Sequence, residues 1–292
     1  MGFIDKTLQK IDRFQRHHPL IGFPYAVVKK YGEDETGYQA ALLTYYGFLS
    51  LFPLLLVLTT FLTIIAGSHP HLRQSIIGST AAYFPILGNQ LSEHVYSLHK
   101  SGLALIVGLL FTLYGARGVA DAFIHGVNHI WRIPKNERAG FPLSMVKSLA
   151  VMLIGGTGFI AAAIITTYAA AAGRGLVFQG FSIFINLVIL FWLFLFLINV
   201  SLPRNVSLKD ISVGAAIAAI GLVVLQNVGG YVLAHQLKSL DALYSNFAIV
   251  LGLLFWIYLQ SQMVYYAVEV AAVRSKRLWP RGLSGEDSQI NQ

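Results

Sequence analysis

The stretch from Leu176 to Leu202 has the sequence LVFQGFSIFINLVILFWLFLFLINVSL and contains no Asp, Glu, Lys or Arg. An α-helix rises about 1.5 Å per residue, so this stretch would be about 40 Å long as a helix. About 20 apolar residues are enough to cross the hydrocarbon core of a bilayer. A charge-free run of this length therefore predicts a transmembrane helix.

Five further apolar runs lie on either side of this stretch. The composition agrees with them, because 55% of the 292 residues are hydrophobic and only 12% are charged, about half the charged fraction that is typical of a soluble domain. We predict an all-α polytopic membrane protein with six transmembrane helices in a single membrane domain over residues 1–279. The predicted spans are 43–66, 102–122, 146–168, 176–202, 211–234 and 246–273.

The Lys and Arg residues are distributed unequally between the predicted loops. Of the 21, 16 lie in the N-terminal arm, in the loops around the starts of the third and fifth spans, and in the C-terminal tail. Four lie in the remaining loops, and Arg117 lies inside a span. Cytoplasmic loops carry the excess of basic residues. The bias therefore predicts that the N-terminus and the C-terminus are both cytoplasmic.

Three segments are predicted to lie outside the spans. Residues 3–16 place apolar and basic side chains on opposite faces, a pattern typical of an amphipathic helix in the headgroup layer. Packing on the protein's own loops is the alternative for this helix. Residues 67–101 form the longest outer loop and are expected to be helical. Residues 280–292 are polar and are expected to be a disordered cytoplasmic tail.

The residues that most enzymes and metal sites need are scarce. The chain has no cysteine, which excludes disulfides and thiolate ligands. His125 and His129 would share a helical face, but no third ligand follows them in sequence, so interfacial histidines are the favoured interpretation. The acidic run Glu33–Glu35 is interpreted as a solvated surface. We predict no catalytic residues, no metal, no cofactor and no nucleic-acid partner, and expect that the chain is not an enzyme.

Ionisable groups inside spans are costly and often functional. Arg117 and Asp121 are four residues apart and share a face of the second span, and Glu269 lies near the cytoplasmic end of the sixth. The functional hypothesis is a polar cavity open toward the cytoplasmic leaflet, with Arg117 facing an anionic group. The structural hypothesis is an ion pair of Arg117 with Asp121 or with Glu269. Other polar residues expected at this depth are Tyr45, Tyr46, Ser50 and Asn199.

Small residues and one proline shape the predicted helices. Pro53 removes a backbone hydrogen bond and is expected to kink the first span, where Ser50 could satisfy a freed carbonyl. Gly155, Gly156 and Gly158 are interpreted as a face for close contact between helices.

Several motifs resemble those of one bacterial family. Residues 40–46 have the sequence AALLTYY and residues 49–55 the sequence LSLFPLL. They are followed by NHIW at 128–131, YSNFA at 244–248 and LFWIYL at 254–259. Together these motifs resemble the YihY/BrkB family, once labelled ribonuclease BN, although Tyr244-Ser245 departs from the Tyr-Gly expected there. The resemblance implies a six-span fold in the bacterial inner membrane.

Three functions remain as hypotheses. The favoured one is a transporter or flippase-like carrier for an amphipathic or anionic envelope component. The absence of a nucleotide-binding loop makes the carrier a facilitator or secondary carrier. A non-transporting envelope-integrity scaffold is the alternative, and a membrane-bound ribonuclease is the third. The expected partners are membrane lipids and an anionic or lipid-like substrate, and a homo-oligomer is compatible with the sequence.

Overall fold

The computed structural model describes residues 19–66, 102–171, 176–203, 206–237 and 245–279. Within these ranges the chain is entirely α-helical apart from its connections, which confirms the predicted all-α class. The seven helices are α1 (Pro19–Glu33), α2 (Thr36–Ala66), α3 (Gly102–Ile130), α4 (Leu143–Ala171), α5 (Leu176–Ser201), α6 (Leu208–Leu237) and α7 (Ser245–Ser275).

Five of the described helices contain a segment long and apolar enough to cross a membrane. These segments are Ile106–Ile130, Leu143–Ala162, Gly180–Ser201, Leu208–Gln226 and Val250–Ser275. The predicted span 43–66 lies inside the 31-residue α2, whose side chains are described only as far as position 51. The described helices therefore include five candidate spans, and the sixth span and the orientation of the two ends remain predictions.

The six long helices form a closed ring. Each packs against its neighbours in chain order, and α7 closes the ring by packing against α2. Among the described residues, α3 and α4 share the fewest contacts of any neighbouring pair. The short helix α1, which the sequence did not predict, packs against α7 and α2.

The closest contacts in the ring depend on small residues. A Cβ atom at Gly214 of α6 would lie 2.6 Å from the backbone oxygen of Ala267 on α7, which is too close for any other residue. Gly214 is therefore a close contact between α6 and α7. A Cβ atom at Gly156 of α4, in contrast, would meet no atom within 4 Å. Gly156 therefore faces open space and is not a helix contact as predicted.

One end of the ring gathers the ends of several helices. Asn128 Nδ2 on α3 donates to the Ser201 oxygen at the end of α5, at 3.0 Å. Lys147 Nζ at the start of α4 donates to the Leu202 oxygen, at 2.9 Å. This is the end that the basic residues predict to be cytoplasmic. The predicted helix 3–16, the outer loop 67–101 and the tail 280–292 lie outside the described residues.

Candidate functional site

A fully buried lysine is the centre of the charged cluster at this end of the ring. Lys30 of α1 has no exposed surface. Its ammonium group donates to the Glu269 Oε2 atom at 2.6 Å, to the Ile130 oxygen at 2.7 Å and to the Asp34 carboxylate. Three acceptors satisfy all three N–H groups of a lysine. The position of α1 is therefore fixed by bonds to the ends of α3 and α7.

The two carboxylates of the cluster are satisfied as well. Glu269 is completely buried, and its second oxygen, Oε1, accepts a hydrogen bond of 2.6 Å from Thr36 Oγ1. The Asp34 Oδ1 atom accepts from Arg132 Nη2 at 2.7 Å and from Nε at 3.1 Å. The two positive and two negative charges balance, and this combination makes burial of the cluster tolerable. We call Lys30, Asp34, Thr36, Arg132 and Glu269 the ion cluster.

The backbone holds Arg132 in place. Arg132 follows α3 in the left-handed conformation, with φ 48°, and the Ile133 amide donates back to the Asn128 oxygen at 2.9 Å. This arrangement is a Schellman motif, which usually has glycine at the left-handed position. The hydrogen bond to Asp34 raises the pKa of Arg132 above its usual value. The ion pair therefore explains why an arginine occupies a position that glycine would fill with less strain.

Aromatic residues pack beside the cluster. The rings of Tyr31 and Tyr266 stack with centroids 3.9 Å apart, and the Tyr31 hydroxyl donates to Gln262 Oε1 at 2.8 Å. Burial, together with the neighbouring Tyr266, raises the pKa of Tyr31. The buried Tyr265 donates its hydroxyl to the Ala122 oxygen at 3.1 Å. These rings form an aromatic layer beside the ion cluster, and Tyr265 also stacks on Phe123 with ring centroids 6.3 Å apart.

A cavity of about 460 Å³ lies further along the ring, beyond this layer. All six long helices contribute to its wall. We call this space the central cavity. Among the described residues, its wall is apolar except for a few polar side chains and includes no Lys, Arg, Asp, Glu or His. The polar residues in it are Ser50, Thr112, Gln260 and Ser261.

The polar atoms of the central cavity are only partly satisfied. Ser50 Oγ donates to the Gly47 oxygen at 2.8 Å, and Ser261 accepts from Thr44 at 3.4 Å. Thr112 Oγ1 is buried without a hydrogen-bond partner among the described residues. A wall of this kind suits an apolar chain with one polar group, since small-molecule sites are mostly apolar with few placed polar atoms.

A second space of about 460 Å³ lies on the opposite face of α3. It is lined by α2 and α3, and we call it the outer groove; its residues are Leu42, Tyr46, Tyr114, Arg117, Gly118, Asp121, Ala122 and His125. The α3 residues of the central cavity are a different set, including Ala116, Ala120 and Phe123. At 100° per residue the two sets lie on opposite sides of the helix. The outer groove therefore faces away from the centre of the ring.

The predicted site residues do not form a single site. Arg117 and Asp121 lie together in the outer groove, with Arg117 Nε 3.5 Å from Asp121 Oδ2. This is one of the two ion pairs that the sequence left open. The other, Arg117 with Glu269, is absent, because Glu269 belongs to the ion cluster. The expected polar cavity also differs from the structure, since the central cavity is apolar and neither Arg117 nor Glu269 lines it.

The remaining predicted residues are dispersed. Tyr46 lines the outer groove and Ser50 the central cavity. Tyr45 is exposed and Asn199 is half-buried near the end of α5. Helix α2 continues through Pro53, and the side chain there lies outside the described side chains, so the predicted kink is untested.

Sequence reasoning missed most of the ion cluster. Asp34 is only 7% exposed, so the interpretation of Glu33–Glu35 as a solvated surface was wrong for its central residue. The four-residue spacing of Lys30 and Asp34 was the available signal. No signal linked Lys30 to Glu269, which lies 239 positions further along the chain.

The surroundings of His125 and His129 differ from those of a metal site. His129 Nε2 lies 2.8 Å from the Asp34 backbone oxygen, which can only accept, so the ring donates there. His125 lines the outer groove. In the part of the chain that the structure describes, no three His, Asp or Glu side chains are grouped as metal ligands.

Comparison with known proteins gives consistent matches over most of the chain. The family model described as "Virulence factor BrkB" matches residues 27–289. The UPF0761 membrane protein VP0125 of Vibrio parahaemolyticus is 27% identical over 285 residues, covering 92% of this chain and 89% of that protein. The inner membrane protein YhjD of Escherichia coli is 23% identical, covering 95% and 87%. The putative ribonuclease-like protein YfkH of Bacillus subtilis is 21% identical, covering 88% and 96%. No solved structure matches.

Proposed function

We propose that this chain, which belongs to the virulence factor BrkB family and resides in the inner membrane, is a transporter or flippase-like carrier for an amphipathic envelope component. The observation that carries the proposal is the central cavity. Its wall is apolar, includes four polar side chains and is built from all six long helices. A substrate with a long apolar chain and a polar group matches this wall. A strongly anionic substrate does not, because no basic residue among the described residues lines the cavity.

The route into the cavity is proposed to be lateral. Because Tyr265, Tyr31 and the ion cluster pack together toward the predicted cytoplasmic end, we infer that the substrate does not enter from that end. The seam between α3 and α4 has the sparsest packing in the ring, and Gly156 on this seam faces open space. An amphipathic molecule in the bilayer would enter between these two helices with its apolar chain first. No nucleotide-binding loop is present in the sequence, so the carrier acts as a facilitator or secondary carrier.

The scaffold hypothesis is supported by a different observation. Lys30, Asp34, Thr36 and Glu269 of the ion cluster are buried and paired, which is the arrangement expected of side chains that only hold helices together. The third hypothesis, a membrane-bound ribonuclease, is supported only by the former label of the family and by the name of the Bacillus subtilis relative. It needs a catalytic cluster, and the described residues do not bring one together.

A vesicle assay separates the carrier from the scaffold. The full chain is reconstituted with a fluorescent phospholipid analogue, and its movement between leaflets is followed by quenching with a membrane-impermeant reductant. The carrier hypothesis predicts faster movement than in protein-free vesicles and loss of the effect in Gly156→Phe, whose side chain would fill the cavity mouth. Gly140→Phe is the matched control, since a Cβ there also meets no atom within 4 Å but lies in the α3–α4 loop. Equal rates in all four samples would support the scaffold.

A further inference from the structure

The outer groove contains two opposite charges on a lipid-facing surface. The side chains of Arg117 and Asp121 are 56% and 50% exposed although both lie in the apolar segment Ile106–Ile130. Ionisable groups within spans almost always face the interior of the bundle or a water-filled cavity. Here they face outward, on the opposite side of α3 from the central cavity. Among the described residues, Arg117 and Asp121 therefore leave the open side of the groove available to a ligand.

The two charges neutralise each other only weakly. Arg117 Nε and Asp121 Oδ2 are 3.5 Å apart, which is longer than a charge-assisted hydrogen bond. Asp121 is held from the other side by Ser148 of α4, whose hydroxyl donates to its Oδ1 atom. A carboxylate has about four acceptor positions and a guanidinium five N–H donors, so both groups retain free capacity. The pair can therefore hold one cation and one anion side by side.

Aromatic residues complete the groove. Tyr114 is 73% exposed, and Tyr46 and His125 line the same space. Tyrosines that face lipid are typical of the headgroup level, where one end of the side chain is apolar and the other is polar. Leu42 and Ala122 supply the apolar part of the wall. The groove thus combines a charged pair with a surface for the glycerol and upper acyl region of a lipid.

We propose that the outer groove binds the headgroup of a zwitterionic aminophospholipid of the ethanolamine type. The phosphate lies against the Arg117 guanidinium, which matches it with two parallel N–H donors. The primary ammonium group lies against Asp121. The short link between these headgroup charges matches neighbouring charges one helical turn apart. A purely anionic headgroup would leave Asp121 facing a negative charge, and a choline headgroup has no N–H to donate to it. This site is separate from the proposed substrate cavity and does not depend on the carrier function.

Native mass spectrometry of the full chain in detergent tests this assignment. The protein is incubated with equal amounts of phosphatidylethanolamine, phosphatidylcholine and phosphatidylglycerol, and the retained lipids are counted. We expect phosphatidylethanolamine to be retained in preference to the other two. Arg117→Gln should lower the retention of all three by at least about tenfold, because the charge-assisted hydrogen bonds to the phosphate are lost. Asp121→Asn, which keeps the shape, should remove the preference for ethanolamine and favour phosphatidylglycerol.

One variant outside the groove is the control for this experiment. Arg274→Gln removes an exposed arginine outside the groove and should leave the lipid ratios unchanged. An unchanged ratio in Asp121→Asn would overturn the proposal, as would equal retention of the three lipids by the unaltered chain. A dimer that dissociates on Arg117→Gln, without any lipid preference, would assign the groove to a second copy of the chain and also overturn it. Melting temperatures measured alongside establish that both variants are folded.

Discussion

Lys30 of α1 and Glu269 of α7 form an ion pair of 2.6 Å in which neither side chain has any exposed surface. Removal of one partner from a buried pair leaves the other charge without compensation, which costs more than the pair itself contributes. Here one ammonium group neutralises Glu269 and Asp34 together.

The first prediction concerns this pair. Lys30→Met should destabilise the protein by about 3–5 kcal/mol, because two buried carboxylates lose their shared cation. The measurement is thermal unfolding in detergent. Lys29→Met is the matched control, since its pair with Glu33 is long, 3.8 Å, and partly exposed, so the expected loss is about 0.5 kcal/mol or less. Equal melting temperatures for the two variants would contradict the role given to Lys30.

A second prediction follows from Lys276, whose ammonium group donates to the Trp131 oxygen. Burial, followed by the nearby charges of Lys30 and Arg132, lowers the pKa of Lys276 below its ordinary value of 10.5. Between the lowered pKa and 10.5, the unfolded chain binds a proton at this position that the folded chain does not, so stability rises with pH. The melting temperature of the unaltered chain relative to Lys276→Gln should increase as pH rises toward 10.5. A constant difference would show that the position is not desolvated.

The third prediction compares two glycines inside helices. Gly214→Ala places a Cβ atom 2.6 Å from the Ala267 oxygen and should destabilise the protein by about 1–3 kcal/mol through overpacking. Gly156→Ala meets no atom within 4 Å and should stabilise α4 by about 0.5–1 kcal/mol through helix propensity. Because both changes add the same methyl group, their difference isolates packing between α6 and α7. Detergent melts in which both variants shift in the same direction would refute this close approach.

The fourth prediction is the topology. Single cysteines introduced at positions 135, 206 and 285 should react with an impermeant thiol reagent only from the cytoplasmic side, and those at 85, 174 and 239 only from the other side. The reason is the concentration of basic residues in the loops of the first group. The native chain has no cysteine, so the parent protein is an unlabelled control. A single reversed loop would exclude six spans with both ends inside.

The fifth prediction concerns RNA. The full chain, purified stringently, should not degrade RNA, because metal-assisted hydrolysis needs clustered ligands in water. His129 instead contacts the Asp34 backbone oxygen. The measurement is cleavage of a labelled RNA by successive purification fractions. A nuclease activity that follows the protein and is lost in His125→Ala or Asp121→Asn would establish the ribonuclease hypothesis.

The spans were predictable because hydropathy and helix length are local properties. The predicted range 102–122 ends before α3 does, at Ile130, since hydropathy marks where the lipid core ends and backbone hydrogen bonds continue the helix beyond it. The four-residue spacing made Arg117–Asp121 one of the two ion pairs that the sequence left open, and the structure contains that one. Whether that pair faces inward or outward depends on how α3 packs, and the sequence pattern does not encode it.

The ion cluster lay beyond sequence reasoning for a different reason. Lys30 appeared only as one of many basic residues near a span, and its burial results from the docking of α1 onto α7. The central cavity is similarly a property of the ring, because its wall draws one or more residues from each of six helices. Such features depend on contacts distant in sequence.

The Lys30–Glu269 pair also has a consequence for the order of biosynthesis. Lys30 leaves the ribosome 239 residues before its partner, and α1 and α7 are the first and last described helices. Until the final helix is inserted, the lysine has no buried carboxylate on α7 to join, and α1 has no docking surface there. Attachment of α1 is therefore a late, post-insertion event that only a full-length product can complete. A chain truncated before α7 would leave the basic segment α1 without the docking surface that buries Lys30.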